Sequence, residues 1–250
     1  MTDMLTHTSE HDALPTVDNR IRLAVREVRE TAFRALYAAG VSSGEAGAAA
    51  DTVTAMQLHA RTGIDTLLDT LSRLDSTIGP AGVTLSRNST VDIVDHSLRS
   101  ALLSGPLAVD LALSQSRQVL LSRIDDHEAV DWYALRAASR SGTTLWLVTL
   151  DDLGWHTNAT VVTAAGDMYR DVAVTPALEC GAATTSEHGG GTLVLTAPHT
   201  TDTTRPDHTA AERETRYRHA VSYGLFVDTA KWSRAYALGR RFLVPEANHD

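Results

Sequence analysis

Residues 33–46 read FRALYAAGVSSGEA and residues 58–65 read LHARTGID. They mark the start and the end of one predicted helix. The helix before Gly40 has an apolar stripe at helical spacing, made of Ile21, Val25, Val28, Phe33, Leu36 and Tyr37. Gly40 suits a helix C-cap, and Ser42 with Glu45 has the capping-box pattern that starts the next helix. A third helix is predicted from Ile64 to Leu74. We therefore expect a helical N-terminal lobe over residues 19–78.

The rest of the chain predicts strands that alternate with helices. Residues 143–150, TTLWLVTL, are typical of a buried strand. Further strands are predicted at 90–94, 100–104, 161–163, 172–174 and 192–196. Further helices are predicted at 107–119, 129–141, 210–224 and 228–241. Residues 120–124 could continue the helix before them or form a strand. This alternation indicates an α/β fold. We predict one compact unit with a mobile tail at 1–18, the helical lobe, and an α/β domain over 79–250.

Composition excludes several classes of protein. The 250 residues carry a net charge of -9, which argues against nucleic acid and anionic membrane as partners. Its 22 basic residues are arginines except Lys231, a bias typical of a GC-rich bacterial genome. One cysteine allows no internal disulfide, and no apolar run approaches the roughly 20 residues of a membrane helix. We expect a cytoplasmic protein that acts on a small-molecule substrate.

The two segments quoted first carry a family resemblance. They resemble a group of uncharacterised bacterial proteins with a helix, an aGaG turn, a second helix and an arGldG element. Residues 242–246, FLVPE, resemble the closing yVPeteaSR segment of that group. More distantly, the opening resembles the malate/L-lactate dehydrogenase family that does not use a Rossmann fold. This resemblance implies a helical N-terminal lobe followed by a mixed α/β domain.

The distant resemblance also implies an activity, a cofactor and an assembly. It implies a homodimer that uses NAD(P)H to reduce 2-oxo acids or cyclic imines. The family carries a GHDSHG segment that supplies a catalytic histidine, whereas the matching residues 60–65 here read ARTGID. Its NHFG segment corresponds to residues 125–128, DDHE. The loss of the usual acid/base residue argues against an unchanged parental reaction.

The stretch around the only cysteine is the main candidate site. Residues 179–191 read ECGAATTSEHGGG and lead into a predicted strand. The candidate catalytic residues are Cys180, Glu187 and His188. Cysteine and histidine can form a nucleophile and its base, although an unpaired cysteine is also a common core residue. The candidate ligand-binding glycines are Gly189, Gly190 and Gly191. Their N–H groups suit a phosphate or carboxylate, and a plain turn into the strand is the alternative.

Two other segments supply candidate ligand-binding residues. Asp152 and His156 follow the predicted strand at 143–150, where α/β sheets place their ligand-binding loops; ordinary turn residues are the alternative. His59 and Arg61 end the second helix, and a guanidinium suits carboxylate recognition. The alternative for this pair is a charged helix end that complements the helix dipole.

No metal site is expected in this chain. Residues 125–128 combine three carboxylates with one imidazole, but adjacent side chains of one segment cannot all reach the same ion. Asp126 is instead predicted to cap the following helix. The chain also lacks Gly-x-Gly-x-x-Gly and Walker motifs, which removes conventional dinucleotide and ATP sites.

These observations leave three hypotheses for function. The first is a small-molecule metabolic or biosynthetic enzyme on a dehydrogenase-like scaffold that reduces an oxo or imino group with NAD(P)H. The second is a non-redox enzyme of the isomerase or lyase type that uses His188 or Cys180. The third is a catalytically inert paralogue that binds a ligand or partners an active enzyme.

Overall fold

The computed structural model describes residues 19–76, 83–87, 91–95, 100–115, 117–151, 156–174, 190–198 and 205–242. The helices in these ranges are α1 (Val25–Ala38), α2 (Ser43–His59), α3 (Gly63–Ser76), α4 (Ala101–Gln115), α5 (His127–Ser141), α6 (Ala210–Tyr223) and α7 (Thr229–Arg240). Within the same ranges, no helix is both long and apolar enough to cross a membrane.

Two sheets complete the architecture. Their strands are β1 (Arg20–Leu23), β2 (Val83–Arg87), β3 (Val91–Asp95), β4 (Val119–Ser122), β5 (Leu145–Leu150), β6 (His156–Val162), β7 (Met168–Tyr169), β8 (Gly191–Thr196) and β9 (Leu225–Asp228). The larger sheet has the order β2-β3-β4-β8-β5-β6-β7, in which β3 and β4 are parallel and the other neighbours antiparallel. The antiparallel pair β1–β9 forms the smaller sheet. The predicted mixed α/β fold is confirmed.

The central strands are buried on both faces. Successive residues of a strand point to opposite faces of its sheet. Leu145 and Leu147 of β5 belong to the core shared with the helices, whereas Trp146 and Val148 belong to a smaller apolar cluster on the other face. A strand covered on both faces needs a continuous apolar run rather than an alternating one, which explains the composition of residues 143–150.

The turn between α2 and α3 is held by close packing and by one buried amide. A Cβ atom on Gly63 would lie 2.0 Å from the Val53 carbonyl oxygen, so this position requires glycine. The Gln57 side chain accepts from the Ile64 N–H at 3.1 Å and donates to the Phe226 carbonyl at 3.3 Å. These bonds fix the end of α2 against α3 and β9.

Three local predictions are wrong. Residues 20–23 form β1 instead of a first helical turn, because they pair with β9, a strand without a signal in the sequence. Residues 100–104 begin α4 rather than form a strand; short apolar runs fit both structures. Residues 172–174 form no strand, although the Val172 N–H donates to the Ala159 carbonyl at 3.0 Å. The strand alternative at 120–124 is confirmed by β4, and the predicted tail at 1–18 lies outside the described residues.

Candidate functional site

The end of α2 meets the start of α5. We call this contact the α2–α5 junction and define it by His59, Thr62, Glu128 and Trp132. The His59 imidazole stacks on the Trp132 indole with ring centroids 5.0 Å apart and planes inclined by 14°. Glu128 accepts from Thr62 Oγ1 at 3.2 Å and from Trp132 Nε1 at 3.3 Å. An imidazole, an indole and a carboxylate are therefore held together by partners from two helices.

Arg170, which follows β7, connects the junction to the sheet. Its guanidinium lies 3.2 Å from Glu128 and 4.0 Å from Asp131, and Asp131 also accepts from Thr160 Oγ1 of β6 at 3.4 Å. The Asp131 side chain is 15% exposed. Burial raises the pKa of Asp131 to about 7, although Arg170 and Thr160 act in the opposite direction. Asp131 therefore changes its charge near neutral pH.

The first turn of α5 is anchored to β8 by His127. Its Nδ1 lies 2.6 Å from Thr192 Oγ1, and burial lowers the pKa of His127. Asp126 occupies the N-cap position but makes no capping hydrogen bond, so its predicted role is wrong. The reason is its backbone, which at φ -99° and ψ 65° departs from the extended N-cap conformation. Across the described ranges, no group of three or more potential metal ligands occurs.

A cavity of about 470 Å³ lies beside the junction, between α1, α2, α5 and α6. This volume is in the range that encloses a small molecule. The charged and aromatic residues in its wall are Arg29, Asp51, His59, Arg136, Arg213, Glu214 and Tyr217. Three arginines therefore face two carboxylates, in a chain whose net charge is -9. The cavity wall is locally basic.

The arginines of the cavity wall are incompletely paired. Asp51 lies 2.5 Å from Arg29 and 2.7 Å from Arg136, so two guanidinium groups share one carboxylate. Arg213 donates to the Gly166 carbonyl. Three buried nitrogens of the wall have no hydrogen-bond partner among the described residues: His59 Nδ1, Arg136 Nε and Arg213 Nε. Buried polar atoms in folded proteins nearly always have partners, so these three nitrogens are unused hydrogen-bonding groups beside the cavity.

The electrostatic surroundings keep His59 neutral. Burial lowers the pKa of His59 to about 4, and the positive charges of Arg213 and Arg216 and the nearby His208 lower it further. His208 packs on the other side of the junction, with its ring centroid 5.1 Å from that of Trp132. At pH 7 the imidazole is therefore uncharged and can accept a proton or donate its single N–H.

The structure brings one of the predicted site residues, His59, to the cavity. Arg61 is exposed, has a left-handed backbone with φ of 65°, and is absent from the cavity wall. Of these two neighbouring residues, only His59 lines the cavity. His156 begins β6, and its side chain is outside the described residues. Also outside them are Asp152, Cys180, Glu187, His188 and Gly189.

Gly190 and Gly191 lie where β8 enters the sheet between β4 and β5. A Cβ atom on Gly191 would lie 2.3 Å from the Leu121 carbonyl oxygen, and one on Gly190 would lie 2.7 Å from the Leu150 carbonyl oxygen. Neighbouring backbone therefore leaves no room for a side chain at either position. Close strand packing is a structural reason for these two glycines.

Sequence reasoning missed the arginines of the cavity wall. Arg29 and its partner Asp51 are 22 residues apart and lie on different helices. Arg136 and Arg213 are further separated and meet only through the packing of α5 and α6 around α2. The only local signal is the i, i+4 spacing of Arg213 and Tyr217, which places both on one face of α6.

Comparisons with known proteins support the architecture. No protein-family model and no curated protein matches the chain. Among solved structures, malate dehydrogenase from Pyrococcus horikoshii OT3 matches with a TM-score of 0.63 at 11% identity, covering 92% of this chain and 97% of that one. Sulfolactate dehydrogenase from Methanocaldococcus jannaschii matches with a TM-score of 0.61 at 10% identity, covering 89% and 97%. Δ1-piperideine-2-carboxylate reductase from Pseudomonas syringae pvar. tomato matches with a TM-score of 0.52 at 11% identity, covering 87% and 99%.

These matches extend over most of each chain while sequence identity stays near a tenth, so they establish the fold and not the chemistry. The distant resemblance carried by the N-terminal helices is confirmed at that level. The chain has the mixed α/β fold of the malate, lactate and sulfolactate dehydrogenases.

Proposed function

We propose that this chain is a small-molecule enzyme of the reductase type, with its site at the α2–α5 junction and the adjoining cavity. The observation that carries the proposal is His59, a neutral imidazole stacked on Trp132 in the wall of a ligand-sized cavity. The structural neighbours support the scaffold, since they are dehydrogenases and a reductase of a cyclic imine. The substrate class we propose is a 2-oxo acid or a cyclic imine.

His59 is the residue we assign to proton transfer. Reduction of an oxo or imino group requires a proton at the oxygen or nitrogen as well as a hydride at carbon, and histidine is the commonest side chain for that task. Trp132 fixes the plane of the imidazole, and Glu128 holds Trp132 through its Nε1. Trp132 and Glu128 are therefore positioning residues.

NAD(P)H is the cofactor that the fold implies, and the residues of the cavity wall fit its phosphate groups. Arg136 and Arg213 each have a guanidinium nitrogen without a partner among the described residues. Guanidinium groups are the preferred donors to phosphate oxygens. When bound, the nicotinamide would supply the hydride. The residues of this chain would hold the phosphates, and His59 would deliver the proton from its imidazolium form, a minor species at pH 7.

The first experiment is a binding and turnover screen of the purified chain. We expect NADPH or NADH to raise the melting temperature of the protein. The absorbance of the reduced cofactor should fall when a 2-oxo acid or a cyclic imine is added. A chain that shows neither a thermal shift nor oxidation at millimolar cofactor would refute the reductase assignment.

A non-redox enzyme is the second candidate, and the position of Gly190 favours it. Gly190 packs against Asp151 at the end of β5, and its carbonyl accepts from the Arg123 N–H at 3.1 Å. Gly190, which follows the segment that carries Cys180 and His188, therefore lies beside the residues that come directly after β4 and β5. Under this proposal, Cys180→Ala and His188→Ala each abolish a cofactor-independent turnover. Full activity of both variants would end it, and a chain that binds a ligand without turnover would be an inert paralogue.

We also propose that the chain forms a homodimer. Large apolar side chains are exposed along α6 and β9, namely Tyr217, Val221, Tyr223 and Phe226. α6 buries only Ala220, and exposed apolar patches of this kind are typical of protein interfaces. Sedimentation equilibrium should give twice the chain mass, and Val221→Ser with Tyr223→Ser should shift it towards the monomer. A wild-type chain that stays monomeric at high concentration would contradict the assembly.

A further inference from the structure

We propose that the cavity beside the α2–α5 junction is an anion site, in which an oxyanion held by Arg213 and Arg136 binds together with a proton on His59. The ligand class is a small molecule with a carboxylate or phosphate group. The inference rests on the proposed function only for the use of that proton in catalysis. Anion binding itself follows from the charges and partners of the cavity wall.

Arg213 is the main evidence for an anion. It makes no ion pair with any carboxylate in the described part of the chain, its Nε is buried without a partner, and burial lowers its pKa. The Asp167 carboxylate acts in the opposite direction but forms no ion pair with Arg213, and a charged group removed from water without a close counter-charge is costly. A carboxylate or phosphate can accept from two guanidinium nitrogens at once, so an oxyanion at this position would compensate the charge.

Arg136 supplies the second donor from the opposite helix. One of its terminal nitrogens lies 2.7 Å from Asp51, while its Nε is buried and has no partner among the described residues. Arg29 takes the other oxygen of Asp51 at 2.5 Å. One carboxylate between two guanidinium groups leaves positive charge uncompensated, so the wall of the cavity attracts an anion.

His59 is surrounded by charges of both signs. The cationic or titratable groups that affect it or share its cavity are Arg29, Arg136, Arg213, Arg216 and His208, and the acidic ones are Asp51, Glu214 and, at the junction, Glu128. Burial and the surrounding cations hold the pKa of His59 at about 4 in the free chain. A bound anion offsets the cations, so it favours the imidazolium.

Binding of the anion and binding of the proton are therefore coupled. Coupling between two sites is reciprocal, so the anion raises the proton affinity of His59 by the same factor as the proton raises the anion affinity. We expect a factor of at least about ten, which moves the midpoint of the His59 titration by about one pH unit. The ligand would thus raise the small protonated fraction of His59 at pH 7 about tenfold, while most of the imidazole stays neutral.

The experiment is an NMR titration of the imidazole nitrogens of the full chain, with and without sulfate. Sulfate is a suitable probe because its charge stays constant from pH 4 to pH 8. The His59 signals are identified by their loss in His59→Gln. Sulfate should raise the midpoint of the His59 titration in the wild type. It should do the same in Arg61→Gln, the matched control, which removes an exposed arginine near His59 that does not line the cavity. The increase should be absent in Arg213→Gln.

Two results overturn the inference: a His59 midpoint that sulfate leaves unchanged in the wild type, or one that rises equally in Arg213→Gln. The wild-type titration alone decides the matter if Arg213→Gln does not fold, as judged by circular dichroism.

Calorimetry with pyrophosphate and with malonate distinguishes a phosphate source from a carboxylate source. Binding of either, weakened about tenfold or more by Arg213→Gln, supports the site; binding of neither overturns it. Sulfate binding without any oxidation of NADPH would leave this inference intact and remove the proposed function, whereas oxidation without anion coupling would do the reverse.

Discussion

Replacing Asp131 with asparagine should stabilise the protein at alkaline pH and have much less effect at acidic pH. Asp131 is 15% exposed, and burial raises its pKa to about 7 from an ordinary 3.8. Between those two values the native chain holds a proton that the unfolded chain releases, so wild-type stability falls as the pH rises through this window. Asparagine has nearly the same shape and carries no charge at any pH.

The expected magnitude follows from the pKa of Asp131. One pH unit inside the window corresponds to about 1.4 kcal/mol, so from pH 5 to pH 8 the wild type should lose roughly 2–3 kcal/mol more than Asp131→Asn. In a chain of this size that corresponds to a difference of about 5–10 °C in melting temperature. The lowered pKa of His59 gives a slope of opposite sign, but it is present in both proteins and cancels in the comparison.

The assay is urea unfolding of both proteins at pH 5, 6.5 and 8. Asp171→Asn is the matched control, because Asp171 is exposed and has a φ of 53°, which asparagine also tolerates. The control should follow the wild type at every pH. The reasoning is refuted if wild type and Asp131→Asn lose stability in parallel between pH 5 and pH 8.

Two further predictions concern the backbone around the site. Gly191→Ala should lower the free energy of unfolding by more than about 2 kcal/mol, because its Cβ would lie 2.3 Å from the Leu121 carbonyl oxygen. Gly47→Ala on α2, where nothing lies within 4 Å of the added Cβ, should instead raise it by about 0.5–1 kcal/mol. Urea unfolding measures both changes, and equal effects would contradict the packing of β8. Gln57→Leu should lower the free energy of unfolding by about 1–3 kcal/mol, because it leaves the buried Ile64 N–H without an acceptor. An unfolding midpoint unchanged from wild type would show that this bond does not hold the α2–α3 turn.

The elements that the sequence predicted best are those whose signals are local. Ser42 and Glu45 form the predicted cap of α2, with Ser42 Oγ accepting from the Glu45 N–H. The helix predicted at 129–141 ends at Gly142, whose backbone is left-handed. The strand β5 follows from its own composition. Strands β1 and β9 had no such signal, because each is stabilised by pairing with a partner about 200 residues away in sequence.

Of the residues that line the cavity, the sequence predicted only His59 as a site residue. His59 stood out because it ends the second predicted helix and belongs to the segment 58–65 that carries the resemblance. Its partners did not, since Trp132, Arg136 and Arg213 are ordinary residues of their own helices and become a site only when α5 and α6 pack around α2. The two arginines stand out because each has a nitrogen without a partner among the described residues, and a missing partner is a property of tertiary structure that residue patterns do not carry.

The role of His59 in proton transfer is tested by the turnover of His59→Gln relative to Arg61→Gln, on whichever oxo acid or imine the NADPH-coupled screen identifies. The two residues are neighbours at the end of α2, but only His59 lines the cavity. Proton transfer by a positioned side chain typically contributes a factor of about 10²–10⁴. We predict that His59→Gln loses at least about 100-fold in kcat while Arg61→Gln keeps wild-type activity. Wild-type turnover in His59→Gln would show that this imidazole transfers no proton in the reaction.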